Sequence, residues 1–176
     1  ITDFSKIPWN PLSYWTPAAV RDLHESGMKL DASVANVAGE SVATAAKGMD
    51  TGNNDRFLRT LWESDGQQEF IPYTKGGPDA WIMPEVKLTL NWTDDGRELS
   101  RFDGSNLKNS EHYGSEGLTW TYIKETGRRF GYCPPGGAFD GMGSMLFLSD
   151  LNPWNVMATL NSSLYHALFL SLTPER

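Results

Sequence analysis

The sequence predicts a single α+β domain with a mixed, mainly antiparallel sheet, short irregular helices and a helical C-terminal segment. Three observations support this prediction. Short segments of alternating polar and apolar residues recur through the middle of the chain, helix patterns occur at both ends, and no repeat or low-complexity linker divides it. A chain of 176 residues is long enough for one domain with a core and short for two.

Residues 1–29 are expected to form a helical lead-in. Within them, "TPAAVRDLHESG" predicts a helix that Thr16 caps, that has Pro17 in its first turn and that Gly27 ends. The chain has no initiator Met and opens abruptly, so we interpret it as part of a longer protein.

Residues 30–150 are expected to hold the sheet and its loops. From Leu30 the pattern is ambiguous, because Ala favours helix whereas Val and Thr favour strand. We predict a short helix at 31–36 and a strand near 40–48. The segment "DDGRELSRF" predicts a turn or a short helix, and the Pro/Gly cluster 134–137 predicts a loop. Further strands are predicted at "RTLWES", "EFIPYTKGG", "KLTLNW", "LTWTYI", "RRFGYC" and "SMLFLS".

Residues 151–176 are expected to form two helices. Asn152 is the predicted cap of the first helix, which begins at Pro153, and Ser162 or Ser163 is the predicted cap of the second. The residues of the first helix predicted to face inward are Trp154, Met157, Ala158 and Leu160.

Composition restricts the classes of function. A formal net charge of −7 argues against a compact nucleic-acid binder, which is usually basic. Neither a signal peptide nor an apolar run long enough to span a bilayer is visible. The single cysteine, Cys133, fits a reducing compartment, and we interpret it as structural because no base stands near it in the sequence.

No complete catalytic or metal-binding pattern occurs. His24, His112 and His166 lie far apart and outside any short metal-ligand spacing, so no metal site is predicted. The glycine-rich stretch "PPGGAFDGMGSM" lacks the spacing of a phosphate loop, and we expect it to hold a turn into a buried strand, with Ser144 at its entry.

Four loops combine amide, aromatic and cationic side chains. Amides can pair with adenine and cations with guanine in the major groove, while backbone amides exposed at glycines can meet phosphates. Each loop is open to a second interpretation as a solvated turn. The four loops are Thr51–Arg56, Tyr73–Gly77, Ser105–Ser110 and Lys124–Phe130.

Seven phrases in fixed order carry a resemblance to a known family. The phrases are "FSKIPWNPLSYW", "GMDTGNNDRFLRTLWE", "FIPYTKGG", "LNWTDDGREL", "NSEHYGSEGLTW", "GGAFDGMGSMLF" and "NVMATLNSSLYHALFLSLTP". With them, the chain resembles the region behind the catalytic domain of the large bacterial adenine-specific DNA methyltransferases of the PglX type. Those proteins belong to phage-exclusion (BREX) systems and are similar in layout to type IIG restriction–modification enzymes.

The resemblance implies a target recognition domain, similar to the specificity domains of type I and type IIG systems. Such a domain selects the DNA sequence in which one adenine is flipped out and methylated. Methylation requires S-adenosylmethionine and an Asn-Pro-Pro-Tyr-like motif, and here only Asn10-Pro11 and Asn152-Pro153 occur, each without the rest of the motif. We therefore expect no catalysis and no cofactor in this segment, and S-adenosylmethionine in the parent protein.

The resemblance also implies which residues contact DNA. Gly52 would allow close backbone approach, and Phe57 and Leu58 would anchor the loop in the core. Lys75 matches a lysine of the family and would suit a phosphate, although "TKGGPDAW" lacks two charges often present there. The predicted contact residues are Thr51, Asn53, Asn54, Arg56, Lys75, Lys108, Asn109, Lys124, Arg128 and Arg129.

The expected partners are double-stranded DNA, the methyltransferase domain of the same chain and other subunits of the defence system. The expected location is the bacterial cytoplasm, without a membrane. Two alternatives remain open at this point. One is a protein–protein interaction module of the same defence complex, which would use acidic surface and exposed aromatic residues. The other is a small enzyme that uses Cys133 or a carboxylate.

Overall fold

The computed structural model of the chain describes residues 16–26, 30–31, 41–64, 69–75, 82–120 and 130–172. Its helices are α1 (Ala18–Ser26), α2 (Asn54–Phe57), α3 (Thr93–Arg101), α4 (Pro153–Leu160) and α5 (Ser163–Leu172). Short 3-10 turns occur at Leu61–Glu63 and Ser110–His112. Its strands are β1 (Ala43–Ala46), β2 (Leu58–Thr60), β3 (Phe70–Thr74), β4 (Leu88–Asn91), β5 (Gly117–Trp120), β6 (Phe130–Cys133), β7 (Ala138–Phe139) and β8 (Met145–Leu148).

The strands form two four-stranded sheets. The first sheet has the order β1-β8-β5-β6, and each of its pairs is antiparallel. The second sheet has the order β2-β4-β3-β7, in which only β3 and β7 are parallel. The predicted α+β class with mainly antiparallel strands is therefore confirmed, although the strands divide between two sheets.

The two sheets are covered by three apolar clusters. The second sheet packs Tyr73 and Leu90 against Phe57 and Leu99, which come from α2 and α3. The first sheet packs against α4 through a separate cluster: Ala43, Leu118, Leu146, Met157 and Leu160. A third, smaller cluster connects the sheets: Ala46, Cys133, Phe139, Met145 and Phe147.

The chain passes between the two sheets four times, and the first and last of these crossings lie side by side. We call this the junction, formed by residues 48–50 after β1 and residues 139–141 at the end of β7. The N–H of Met49 donates to the carbonyl of Phe139 at 2.9 Å, and the N–H of Gly141 donates to the carbonyl of Met49 at 2.9 Å. Asp50 then exchanges two backbone hydrogen bonds with Asn106, at 3.0 and 2.8 Å. The junction thus joins both sheets to the loop after α3.

Most predicted elements are confirmed. A strand occurs within 40–48, strands occur at the six further predicted segments, and 134–137 is a loop. The prediction of a strand across "RTLWES" is wrong beyond Thr60, because a 3-10 turn begins at Leu61 with Glu63 bonded back to Thr60. The predicted helix at 31–36 lies, except for Asp31, outside the described residues. The two-residue strand β7 was not predicted.

The predicted helix caps are confirmed in part. The side chain of Asn152 accepts hydrogen bonds from the N–H groups of Trp154 and Asn155, which confirms it as the cap of α4. Ser162 accepts from the N–H of Tyr165 and so caps α5. At α1 the prediction is wrong, since the hydroxyl of Thr16 is buried and finds no partner in the described part of the chain.

The inward face of α4 was also predicted incorrectly in part. Met157 and Leu160 are buried as expected, but Trp154 and Ala158 are exposed. Trp154 lies instead against the ring of Tyr132 on β6, 4.5 Å between ring centroids. No helix in the described ranges is long and apolar enough to cross a membrane.

Replacing Gly48 by Ala tests the close contact at the junction. A Cβ atom at Gly48 would collide with the carbonyl oxygen of Phe139, which belongs to the backbone and cannot turn aside. We expect Gly48→Ala to lower the free energy of unfolding by about 3 kcal/mol, as overpacking of a rigid site does. Denaturant unfolding followed by circular dichroism measures this change.

The control is Gly104→Ala, where a Cβ atom meets nothing within 4 Å and only the backbone conformation, φ +94°, opposes the substitution. This control should cost about 1 kcal/mol. Equal losses in the two variants would contradict the role assigned to the Gly48 contact.

Candidate nucleic-acid interface

The loop Thr51–Arg56 is held by its own side chains. The hydroxyl of Thr51 donates to Oδ1 of Asn54 at 2.6 Å, and Oδ1 of Asn53 accepts from the N–H of Arg56 at 3.0 Å. Both asparagines are exposed, and their Nδ2 groups have no partner among the described residues. The loop therefore presents two amide donors while the acceptor oxygens keep it in shape.

Two residues of this loop have structural roles. Thr51 is 4% exposed, so we assign it to the support of the loop and remove it from the contact residues. Gly52 has φ +69°, and a Cβ atom there would lie 2.6 Å from the backbone carbon of Gly104. Contact with the neighbouring loop thus requires this glycine, independently of any approach by DNA. Phe57 and Leu58 are buried, which confirms them as the anchors of the loop.

An arginine cleft lies beside this loop. It has a volume of about 440 Å³ and is lined by Arg56, Thr93, Asp94, Arg97, Glu98, Arg101 and Phe102. Three arginines face two carboxylates, which leaves a local charge of +1 in a chain whose total is −7. A positive site on an acidic molecule is a candidate for an anionic ligand.

The cations of the cleft differ in how they are paired. Nε and Nη2 of Arg56 both donate to Oε1 of Glu98, at 2.9 and 2.5 Å. Arg97 lies 3.7 Å from a carboxylate oxygen of Asp94, and Arg101 has no ion pair or hydrogen bond within the described ranges. The ring of Phe102 lies 5.2 Å from the guanidinium carbon of Arg56 and limits its orientation.

A left-handed turn forms one wall of the cleft. Asp94, Asp95 and Gly96 have φ values of 53°, 54° and 69°, so right-handed helix begins only at Arg97. Left-handed conformations are costly for residues with a side chain, and such strain concentrates at functional sites. Gly96 is required here, because a Cβ atom would lie 2.8 Å from the ring of Trp92.

The other predicted contact residues have different surroundings. The Nδ2 group of Asn109 donates to the carbonyl of Lys47 at 2.8 Å, and Nζ of Lys108 lies 3.8 Å from Oδ2 of Asp50. Lys75 is exposed just after β3. Lys124, Arg128 and Arg129 lie outside the described residues.

The structure does not bring Lys75 together with Arg56. Strands β2 and β3 run in the same direction, and Leu58 and Ile71 both stand opposite Leu90. Arg56 precedes Leu58, whereas Lys75 lies four residues beyond Ile71, or about 13 Å further along the sheet. Loops Thr51–Arg56 and Ser105–Ser110 do meet, through the paired backbones of Asp50 and Asn106.

Sequence reasoning missed Arg97 and Arg101 as members of the site. Their spacing of four residues places both on one face of a helix, and the preceding "DDG" indicates a backbone turn that starts this helix. That pattern was available in "DDGRELSR" and would have identified both arginines.

The structure does not favour Cys133 as a nucleophile. Its side chain is buried, and its Sγ lies 3.3 Å from Oγ1 of Thr74. Burial raises the pKa of the thiol, so the reactive thiolate is disfavoured at neutral pH. Within the described ranges, no group of three or more His, Cys, Asp or Glu side chains could hold a metal ion.

Comparison with known proteins shows two similar methyltransferases. The chain is 34% identical over 173 residues to "Adenine-specific methyltransferase BrxX" of Escherichia coli O9:H4 (strain HS), covering 91% of this chain and 13% of that protein. It is 26% identical over 171 residues to "Adenine-specific methyltransferase PglX" of Lacticaseibacillus casei (strain Zhang), covering 85% and 14%. No family model matches. The chain is thus homologous to one segment of these methyltransferases and spans about a seventh of their length.

Replacing Asp95 by Gly tests the strain in the left-handed turn. Asp95 is exposed and makes no contact with a partner in the described part of the chain, so the substitution relieves strain without removing a bond. We expect the free energy of unfolding to rise by about 0.5–1 kcal/mol, measured by denaturant titration.

Asp103→Gly is the matched control, because Asp103 is also exposed and its φ is not positive. It should destabilise slightly by increasing the freedom of the unfolded chain. If both variants lose stability equally, the turn carries no releasable strain.

Proposed function

We propose that this chain is the DNA target recognition segment of an adenine-specific methyltransferase of a bacterial phage-defence system. The observation that carries the proposal is the loop at Asn53 and Asn54, which offers two exposed amide donors on a backbone fixed by the matching oxygens. The homology of the chain also supports the proposal, because the homologous proteins are adenine-specific methyltransferases and this segment is a small part of each.

Base recognition in the major groove requires donors and acceptors held in a fixed position. A rigid amide can pair with the edge of a base, and each good pair contributes about 1–3 kcal/mol of discrimination. Asn53 lies at the N-cap of α2 and Asn54 begins this helix, so their backbones are fixed relative to the second sheet through Phe57. The amides are thereby positioned before DNA arrives.

The catalytic step belongs elsewhere in the parent protein under this proposal. Asn152 stands in one of the two Asn-Pro pairs, and its side-chain oxygen is occupied by the first N–H groups of α4. It therefore acts as a helix cap and does not hold a flipped base. S-adenosylmethionine, the methyltransferase domain and double-stranded DNA are the partners that the proposal assigns to the parent protein, in the bacterial cytoplasm.

A second candidate function is protein–protein interaction within the same defence complex. Leu61 and Trp62 form an exposed apolar pair on the 3-10 turn after β2, with Trp62 78% exposed. Apolar side chains this exposed are a feature of protein interfaces. Under this alternative, Trp62→Ser would lower methylation at every site in cells, without changing which sequences are methylated.

Asn53→Asp and Asn54→Asp separate base recognition from folding of the loop. Aspartate keeps the oxygen that accepts from Arg56 or Thr51 but replaces the amide donor by a carboxylate. In the methyltransferase that contains this segment, we expect methylation of the native sequence to fall about tenfold or more, or to move to other sequences. Sequencing of methylated DNA from cells measures the pattern.

The control is Asn155→Asp, the same change at an exposed residue of α4, which packs on the first sheet. It should leave the pattern unchanged, and S-adenosylmethionine binding should be equal in all three variants. An unchanged pattern in both loop variants would refute base reading by this loop.

A further inference from the structure

The arginine cleft is adjacent to the loop that the proposed function assigns to base recognition, yet its ligand is different. We infer that the cleft binds one phosphate group of the DNA backbone, and that Glu98 occupies the place of this phosphate in the free chain. The inference rests on the proposed function for the identity of the ligand. It adds a binding site and an internal competitor for that site.

The ion pair between Arg56 and Glu98 has a geometry that favours replacement of the carboxylate by a phosphate. Both donors of Arg56 go to a single oxygen of Glu98, so no described residue uses the second carboxylate oxygen and the pair is not the two-oxygen fork. Both side chains are about half exposed, 52% and 56%. Exposed pairs contribute little to stability, so replacing the carboxylate by another oxyanion costs little.

The remaining cations are available to the same ligand. Arg101 has no partner in the described ranges, and the 3.7 Å contact of Arg97 with Asp94 is longer than a hydrogen bond. Their spacing puts both on one face of α3, which lines the cleft with Arg56. Three guanidinium groups around one cleft exceed what Glu98 satisfies through one oxygen, and the two unesterified oxygens of a backbone phosphate can accept from more than one guanidinium.

The cleft and the amide loop are joined by a direct bond. The N–H of Arg56 donates to Oδ1 of Asn53, so the backbone that carries the first arginine is the one that positions the amide. A phosphate held by Arg56 therefore fixes the register of the loop on the duplex. Phosphate contacts of this kind position a protein, whereas base contacts select the sequence.

Glu98 sets how tightly the cleft holds its ligand. While it pairs with Arg56, an incoming phosphate meets a negative charge at the position that it must take. Binding then requires the Glu98 side chain to turn away, which lowers affinity for any single phosphate. The chain would hold DNA firmly only where the amide loop also finds its bases.

Inorganic phosphate is the first probe, because it tests the cleft without DNA. In ¹H–¹⁵N spectra of arginine Nε–H groups, we expect the Arg56 signal of the chain to shift on phosphate titration at constant ionic strength. Glu98→Gln should lower the apparent Kd by about fivefold, the effect of removing one charge about 4 Å away in water. No shift of Arg56 in the Glu98→Gln variant would overturn the inference.

Glu85→Gln is the matched control. Glu85 is an exposed carboxylate paired with Lys87 at 3.0 Å, and it leads into the end of β4 that lies away from the cleft. This variant has the same net charge as Glu98→Gln, so it should bind phosphate as the unmodified chain does. Equal gains in the two variants would show an effect of net charge alone and would overturn the inference.

A mixed-sequence duplex is the second probe. Glu98→Gln should raise affinity by about fivefold, whereas Arg101→Gln should lower it and reduce the slope of log K against log salt by about 1. Lys87→Gln removes one cation outside the cleft and should leave the slope unchanged. An identical slope for Arg101→Gln and Lys87→Gln would exclude the cleft as the phosphate contact.

The two proposals fail in different ways. If Glu98→Gln tightens phosphate and duplex binding while the amide variants leave the methylation pattern unchanged, the cleft is a phosphate site and base recognition by the loop is refuted. If the amide variants change the pattern but Glu98→Gln behaves as Glu85→Gln does, the loop reads bases and the inference about the cleft is wrong.

Discussion

The contact between Gly48 and the carbonyl of Phe139 is the constraint on which the arrangement of the chain depends. Only a residue without a side chain lets the two crossings of the junction lie close enough for Met49 to bond both Phe139 and Gly141. Those bonds hold the first sheet next to the second and direct residues 51–57 along the core of the second sheet. The position of the amide loop is therefore set by backbone packing at a distance from it.

The same packing explains why the residues predicted to contact DNA do not all lie together. From the junction, one stretch of chain leads to Arg56 and the cleft, while Lys75 leaves the opposite end of β3. The loop after α3 lies beside the stretch that leads to Arg56, because Asp50 and Asn106 pair through their backbones. Within the described ranges, the cleft, the amide loop and the loop after α3 are thus connected through Asp50 and Asn106, whereas Lys75 lies at the other end of β3 from Arg56.

The features that could be predicted from the sequence are those that depend on residues close together in the chain. The cap at Asn152, the anchors Phe57 and Leu58 and most strands follow from local patterns, and the structure has them. Prediction from the sequence fails where contacts with distant segments determine the local structure. Strand β7 exists because β3 lies beside it, and Trp154 is directed by Tyr132 rather than by the period of its helix. The arginine cleft combines both cases, since Arg97 and Arg101 share a local spacing but Arg56 reaches them through tertiary structure.

The burial of Cys133 has a practical consequence. The chain has one cysteine, and its thiol is enclosed beside Thr74 with a raised pKa. Any thiol introduced on the surface would then be the fast-reacting one, so a fluorophore or spin label could be attached at a chosen site without first deleting the native residue. Movements of individual loops could be followed in this way on a chain whose interior is chemically untouched.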